Sequence, residues 1–312
     1  MRRTAAVCVS CSLLALSLAP AEGRADMARA TRLYEKKEYA AAARELRPLA
    51  EAGDTDARYN LGVMYDKGQG MPRNVTEAEK WYRLAAEKGH PLAQFNLGVM
   101  YQRGETREAD SDEAARWFRR AGEQGVVEAQ YSLGVMHHRG EGVLQDYTEA
   151  LKWYRRAARK GYAAALYNLS VMYRRGEGVL MSIDESRRLY QQAAAAGDAE
   201  AQFSLAELYD KGEWLPADPV AAGHWYRLAA EQEHHEGQFR LGGMYERGLG
   251  VPQDFVRAFL WYNLAAGGGV EAARTARDSL SRRMTPGQIA EGQKLSREWR
   301  PHVAGDAVRR CQ

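Results

Sequence analysis

The amino-acid sequence predicts an all-α fold, a solenoid of stacked helix-turn-helix repeats. Three observations predict it: similar residues recur every 36 positions, the recurring apolar residues have helical spacing, and glycine follows each apolar segment. One unit of this size cannot bury its apolar face alone, so we expect neighbouring units to stack. With 45% hydrophobic and 27% charged residues, the 312-residue chain has the composition of a folded soluble protein.

The period is clearest in a column of leucines. Leucine recurs at Leu61, Leu97, Leu133, Leu169, Leu205 and Leu241. The glycine seven positions later keeps the same interval throughout. No insertion breaks the register between Asp54 and Gly269, so residues 54–269 are predicted to form six repeats of 36 residues.

Each repeat is predicted to contain two helices. In the first, Ala57, Leu61 and Met64 share one face, and Gly68 ends the helix because glycine adopts a left-handed backbone at little steric cost. A good N-cap residue starts each second helix: Asn74, Asp110, Asp146, Ser182, Asp218 and Asp254. In four repeats a glutamate follows three positions later, which predicts capping boxes with Glu77, Glu113, Glu149 and Glu185.

Glycine also stands inside the first helix of several repeats. The positions are Gly62, Gly98, Gly134 and Gly242. A glycine there costs about 1 kcal/mol relative to alanine, so a recurring glycine needs a structural reason. We expect the second helix to approach the first closely at these positions.

The ends of the array are predicted to be modified units that cap the stack. Residues 27–53 form a degenerate N-terminal repeat, and residues 22–26 form a linker before it. Residues 270–299 form C-terminal capping helices, with Thr285 as an N-cap and Pro286 at the first helical position. Residues 300–312 form a tail.

Residues 1–21 are predicted to be a cleaved export signal. Arg2 and Arg3 precede an apolar run too short to span a bilayer, and Ala19-Pro20-Ala21 is a small-x-small cleavage site. Cleavage after Ala25 satisfies the same rule more loosely, so both sites stay open. We therefore expect a periplasmic location.

The repeat resembles the Sel-1-like repeat family, which is related to tetratricopeptide repeats. The segment Ala93 to Tyr101 is similar to the family's first helix, and Gly140 to Ala158 is similar to its loop and second helix. The resemblance covers residues 54–269 and implies a right-handed α–α superhelical solenoid. It also implies a role in adaptor or regulatory complexes, often in exported bacterial proteins.

The motifs that would indicate catalysis or metal binding are weak or missing in this sequence. Neighbouring histidines, such as His137 and His138, diverge by about 100° on a helix and cannot easily share one ion. Cys311 lies in the predicted tail, away from any pocket that would activate its thiol. Because 44 basic residues face 41 acidic ones, the whole chain should not attract nucleic acid or anionic membranes. We predict no enzyme activity, cofactor or metal.

Two columns of the first helices are candidates for binding a protein partner, since first helices line the concave face of tetratricopeptide-like stacks. One is an aromatic ladder: Tyr59, Phe95, Tyr131, Tyr167, Phe203 and Phe239. The other is always basic: Lys67, Arg103, Arg139, Arg175, Lys211 and Arg247. The candidate contacts with an acidic segment of the partner are Tyr131, His138, Arg139, Tyr167, Arg174 and Arg175. In the alternative interpretation the ladder packs between units and the basic residue complements the helix dipole.

Trp214 is a further candidate contact, because it occupies a loop position where most repeats have glycine. It is either a local packing residue or an exposed anchor for the partner. The predicted function is a non-catalytic periplasmic scaffold or regulator that binds a protein on its concave face. One alternative is an accessory subunit of an envelope polysaccharide or cell-wall machine that contacts glycan. A eukaryotic secretory adaptor is a third, disfavoured by the lack of a membrane span and a retention signal.

Overall fold

The computed structural model describes residues 21–105, 108–213 and 215–301, and within them every regular element is an α-helix. The predicted export signal, Trp214 and the tail beyond residue 301 lie outside the described residues. No helix in the described ranges has the length and apolar character needed to cross a membrane.

The helices follow one another in pairs. They are α1 (Ala21–Glu35), α2 (Tyr39–Ala52), α3 (Thr55–Lys67), α4 (Val75–Ala86), α5 (Pro91–Arg103), α6 (Ser111–Glu123), α7 (Val127–Arg139), α8 (Tyr147–Ala158), α9 (Ala163–Arg175), α10 (Ile183–Ala195), α11 (Ala199–Lys211), α12 (Pro219–Glu231), α13 (His235–Arg247), α14 (Phe255–Gly267), α15 (Glu271–Ser281) and α16 (Pro286–Glu298). The chain divides into two compact units, Met1–Gln145 and Asp146–Gln312.

The predicted glycine terminators are confirmed in all six first helices. Each has a left-handed backbone with φ between +64° and +71°: Gly68, Gly104, Gly140, Gly176, Gly212 and Gly248. In this conformation the glycine N–H can turn back onto the helix, and that of Gly68 donates to the Met64 carbonyl. The chain then reverses direction within a few residues, which places the second helix against the first.

The capping boxes predicted for four second helices are only half formed, which corrects the sequence analysis. The N-cap side chain does accept the expected bond, as Asn74 Oδ1 does from the Glu77 N–H at 3.1 Å. The Asn74 N–H, however, donates to the Tyr65 carbonyl of the preceding helix at 3.0 Å. Because this donor is satisfied, the Glu77 carboxylate turns to Lys80 at 3.7 Å. The other three glutamates, Glu113, Glu149 and Glu185, pair with Arg116, Lys152 and Arg188.

The close helix approach predicted from the mid-helix glycines is confirmed. A Cβ added at Gly62 would lie 2.7 Å from the Tyr82 ring, and one added at Gly98 would lie 2.8 Å from the Phe118 ring. Real Cβ atoms essentially never come so close to other heavy atoms. Glycine therefore lets a fully buried aromatic ring of the second helix lie directly on the first helix backbone.

A column of buried glutamines joins consecutive repeats, and sequence reasoning missed it. Each carboxamide donates to a carbonyl eight residues earlier, at the end of the preceding second helix: Gln94 to Ala86, Gln130 to Gly122, Gln202 to Ala194 and Gln238 to Ala230. Each of these carbonyls also accepts the backbone N–H three residues later, as Ala194 does from Gly197 at 3.1 Å, so the glutamine adds a second donor from the next repeat. The glutamine thus caps the preceding repeat from the next one.

The two ends of the array carry extra helices. Helix α1 already begins at Ala21, so residues 22–26 are helical rather than the predicted linker; alanine, glutamate and arginine in this stretch are good helix formers. At the other end, Thr285 and Gln288 form the complete capping box of α16. Trp299 then packs edge-on against Trp261, with ring centroids 6.2 Å apart.

Candidate partner-binding surface

The basic column stands at the C-terminal ends of the first helices, with its side chains exposed. Exposure holds for all six members: Lys67, Arg103, Arg139, Arg175, Lys211 and Arg247. Three of the arginines pair with a glutamate two residues later, for example Arg139 with Glu141 at 3.5 Å. Exposed pairs of this kind contribute little and exchange readily with other anions. The column therefore remains able to meet the carboxylates of a partner.

The aromatic ladder, in contrast, is packed against the second helices. Ring centroids lie 5.7–6.0 Å apart in five pairs: Tyr59 with Tyr82, Phe95 with Phe118, Tyr167 with Tyr190, Phe203 with Tyr226 and Phe239 with Tyr262. Two ladder rings also stack on an imidazole of the next repeat, Tyr59 on His90 and Phe203 on His234, both at 4.4 Å. The five ring pairs lie within single repeats, whereas the two imidazole stacks are packing between units, as in the alternative interpretation, and cover one face of Tyr59 and of Phe203.

Tyr167 is an example of a ladder residue whose ring and hydroxyl both make intramolecular contacts. Its ring packs edge-on against Tyr190, and its hydroxyl is hydrogen-bonded to Ser204 of the next repeat. Burial, with smaller contributions from Tyr190 and Glu200, raises the pKa of Tyr167 to about 12. The hydroxyl thus stays neutral and joins two repeats.

The candidate residues fall into both compact units. Tyr131, His138 and Arg139 belong to the first, whereas Tyr167, Arg174 and Arg175 belong to the second. Arg139 and Arg175 are exposed; the other four are partly buried. That all six grip one segment stays a prediction, and Trp214 lies outside the described residues.

The position immediately before each residue of the basic column also forms contacts between helices, which sequence reasoning missed; it holds Asp66, Gln102, His138, Arg174, Asp210 and Glu246. Two of its acidic members accept a hydrogen bond from the tyrosine 16 residues later: Asp210 from Tyr226 at 3.4 Å, and Glu246 from Tyr262 at 2.8 Å. Burial, reinforced by the neighbouring carboxylate, raises the pKa of both tyrosines. The acidic residues at this end of the array thus stabilise the helix pair as well as setting the charge of the surface.

Another recurring contact ties four of the second helices, α2, α4, α6 and α8, to the first helix that follows. An arginine donates to the tyrosine hydroxyl 18 residues later: Arg47 to Tyr65 at 2.7 Å, Arg83 to Tyr101, and Arg155 to Tyr173 at 2.8 Å. In the third repeat His137 replaces the tyrosine, and its Nε2 lies 3.3 Å from Arg119 Nη2. The 36-residue period already places the arginine and the tyrosine at fixed positions in the sequence. Only the packed structure shows that they are hydrogen-bonded to each other.

The remaining histidines that could suggest chemistry have structural partners. His90 and His234 are N-caps, and their Nδ1 atoms accept backbone N–H groups of Ala93 and Gly237 at 3.1 and 3.0 Å. Among the described residues no group of three or more His, Cys, Asp or Glu side chains could hold a metal ion.

The helices are paired, extra helices stand at both ends, the interior is packed, and one regular column of side chains is exposed. This arrangement defines a class of protein, the α-helical repeat scaffold. The Sel1 repeat family model matches six consecutive segments, residues 55–90, 91–126, 127–162, 163–198, 199–234 and 235–270. The chain therefore belongs to the Sel1 repeat family, which confirms the predicted resemblance within one residue of the predicted repeat boundaries. Proteins of this family are generally non-catalytic scaffolds for protein–protein interaction.

Two solved structures are similar in sequence and in fold. A Sel1 repeat protein from Oxalobacter formigenes is 33% identical, with a TM-score of 0.75 over 83% of this chain and 76% of that one. A protective antigen present in uropathogenic Escherichia coli strains, displaying an SLR fold, is 31% identical, with a TM-score of 0.73 over 83% of this chain. The present chain covers 56% of that antigen. A comparison with curated proteins gives no match.

Proposed function

We propose that this chain is an exported, non-catalytic scaffold or regulator of the bacterial cell envelope. It acts in the periplasm and binds a protein partner through the exposed basic column of its first helices. The family supports the role of interaction scaffold, and the first 21 residues support export.

The observation that carries the proposal is the continuity of the basic column. Every repeat places a lysine or an arginine at the same exposed position. Arg174 adds a charge beside Arg175 and has no acidic partner among the described residues. Arginine is a frequent anchor of protein interfaces because its planar donor group binds carboxylates in pairs of hydrogen bonds. An acidic segment of an envelope protein is therefore the partner that this surface suits.

Photocrosslinking in cells tests the partner. A crosslinking amino acid replaces Arg139 or Arg175, and a matched variant carries it at Lys152, which is exposed on a second helix. We expect one discrete adduct from the two column positions and none from Lys152. Equal labelling from all three positions would show that the column is not an interface.

The proposed export is tested by a separate experiment, because the proposed binding of a partner does not depend on it. The intact gene is expressed with a C-terminal tag, the periplasm is released by osmotic shock, and the N-terminus of the released protein is sequenced. We expect a chain that starts at Glu22 or Asp26, according to the cleavage site used. A chain that stays in the cytoplasm with Met1 intact would contradict the proposed location.

A further inference from the structure

Helix α8, in the unit Asp146–Gln312, has one side on which every exposed residue is a cation. We call this side the α8 face; it consists of Lys152, Arg155, Arg156, Arg159 and Lys160. The alternating spacing of three residues and one residue places them together along about 12 Å of helix. The opposite side of α8 is buried in the repeat through Leu151, Trp153, Tyr154 and Ala157.

Most of the charge of the α8 face is not neutralised within the protein. Lys152 forms the one ion pair of the face, with Glu149 at 2.6 Å, and it is exposed. Arg159 and Lys160 have no acidic partner among the described residues. Both are therefore available to an anion from outside.

The two central arginines are held in place by neutral groups. Arg155 donates to the Tyr173 hydroxyl at 2.8 Å, and the Arg156 guanidinium lies over the Trp153 ring, 4.5 Å from its centroid. Contacts of this kind position a guanidinium and leave its charge in place. The side chains thus lose less conformational freedom when the face meets a ligand.

The other repeats show that the fold does not require these cations. At the position of Arg159 three other repeats have glutamate, and at the position of Lys160 two have glutamine: Glu87, Glu123 and Glu231, and Gln124 and Gln232. Cations near a helix C-terminus do complement the helix dipole. Since the same helix forms with a carboxylate there, the cations of the α8 face call for a reason outside the fold.

The next second helix, α10, adds a further cation beside this face. Arg188 is exposed and pairs with Glu185 at 2.5 Å. The hydrogen bond from Arg188 and, to a smaller extent, the charge of Arg155 lower the pKa of Glu185, against its partial burial. Arg155 of α8 is thus close enough to act on this carboxylate, which Arg188 already neutralises.

The composition of the α8 face decides which anion it suits. The charges of the whole chain nearly balance, with 44 basic and 41 acidic residues, so the attraction is local. Between Lys152 and Lys160 no apolar side chain is exposed, whereas the centre of a protein interface is apolar or aromatic. A layer of phospholipid headgroups needs no apolar contact, and each cation near an anionic layer contributes about 1 kcal/mol.

From these observations we infer that the α8 face docks the protein on an anionic phospholipid surface, with its cations against the headgroup phosphates. The contact is electrostatic and reversible, because the face has no apolar side chain to insert. This inference goes beyond the proposed function and uses a surface other than the basic column. The proposed export determines only which membrane the face meets.

Sedimentation of the purified mature protein with large unilamellar vesicles tests the inference. The probe vesicles contain phosphatidylcholine and phosphatidylglycerol in equal amounts, and the control vesicles contain phosphatidylcholine alone. We expect binding to be at least tenfold tighter to the anionic vesicles at about 0.1 M salt. At about 1 M salt, where the Debye length falls to about 3 Å, the protein should be released.

The repeats themselves supply a variant that should fold and not bind. Arg159→Glu with Lys160→Gln installs the pair of residues that α6 and α12 have at these positions, and it should weaken binding at least tenfold. Lys80→Gln with Lys88→Glu changes exposed residues of α4 and lowers the net charge equally. This matched control should bind as the wild type does. Melting temperatures identify any variant that loses the fold.

Four results would overturn the inference. Equally tight binding to neutral vesicles would remove the electrostatic contact, and wild-type affinity of the Arg159 and Lys160 variant would remove the α8 face. An equal loss in the α4 control would reduce the effect to net charge. Soluble polyglutamate that bound as tightly as the anionic vesicles would make the face a site for acidic protein.

The two proposals can fail separately. The lipid contact is measured on purified protein, whereas the partner is detected by a crosslinked protein adduct from Arg139 or Arg175. A crosslinker at Lys152 would meet lipid, so the absence of a protein adduct there agrees with both proposals. Loss of vesicle binding would leave the adducts from Arg139 and Arg175 unchanged.

Discussion

The Gln202 carboxamide donates to the Ala194 carbonyl at 3.1 Å, and through this bond the fifth repeat closes the end of the fourth. The Gln202 Oε1 atom in turn accepts from the Gln232 carboxamide at 2.8 Å, so a third helix joins the same chain of bonds. Gln202 is almost fully buried, and a buried amide contributes only while its donors and acceptors are satisfied. The junction between consecutive repeats is therefore polar and directional as well as apolar.

Gln202→Leu tests the strength of this junction. The substitution keeps the volume but removes the Gln202 donor from the Ala194 carbonyl, which retains the Gly197 N–H, and it removes the acceptor of the Gln232 carboxamide. We therefore expect a loss of about 1 kcal/mol in the free energy of unfolding. Urea unfolding followed by circular dichroism measures it. Gln192→Leu is the matched control, because Gln192 is exposed on α10 and should change stability by less than about 0.5 kcal/mol. Equal effects of both variants would contradict a capping role.

Gly98→Ala tests the close approach of α5 and α6. The new methyl group would meet the buried Phe118 ring at 2.8 Å, and we expect a destabilisation of about 1–3 kcal/mol despite the better helix propensity of alanine. Gly287→Ala in α16 has open space around the new methyl group and should stabilise by about 0.5–1 kcal/mol. Thermal unfolding of the two variants should therefore shift in opposite directions. A rise in melting temperature for Gly98→Ala would show that the ring can move aside.

Because the capping boxes are only half formed, alanine substitutions of Asn74 and Glu77 should lower the free energy of unfolding by different amounts. Asn74→Ala removes the side-chain oxygen that accepts the Glu77 N–H and should cost about 1 kcal/mol. Glu77→Ala removes only an exposed pair with Lys80 and should cost at most about 0.5 kcal/mol. Chemical denaturation of both single variants gives the two values. If Glu77→Ala cost as much as Asn74→Ala, the reciprocal bond would have to form in solution.

The raised pKa of Tyr167 predicts that the free energy of unfolding falls at high pH. Its folded-state pKa of about 12 exceeds the value of about 10 for a free tyrosine, so the fold favours the neutral hydroxyl. This contribution is fully present below pH 10 and is lost as the pH rises from 10 through 12; it amounts to about 2 kcal/mol. Tyr167→Phe loses the hydrogen bond with Ser204 but cannot ionise.

The measurement compares wild type and Tyr167→Phe by urea unfolding at pH 8 and at pH 11.5. We expect the variant to be less stable at pH 8 and to lose less stability on going to pH 11.5. Tyr147→Phe, at the first position of α8, serves as the tyrosine control. A parallel decline of wild type and Tyr167→Phe would show that other groups govern the alkaline transition.

Much of the architecture followed from the sequence because a helix with 3.6 residues per turn assigns every residue to a face. Leu61 and Met64 had to be buried together, Gly68 had to end its helix, and Asn74 had to begin the next, whatever the neighbours were. The basic column could be recognised in the same way, since Arg139 and Arg175 stand at one position of a fixed period.

Only the tertiary structure decided which group each side chain meets. The aromatic ladder and the basic column are equally regular in sequence, yet Tyr167 packs on Tyr190 while Arg175 is exposed. The physical reason is that periodicity gives the direction of a side chain from its own helix, whereas its burial depends on a second helix 16 to 36 residues away. Hydrogen bonds between helices, such as that of Gln202 to Ala194, need a distance and an angle that arise only when both helices are packed.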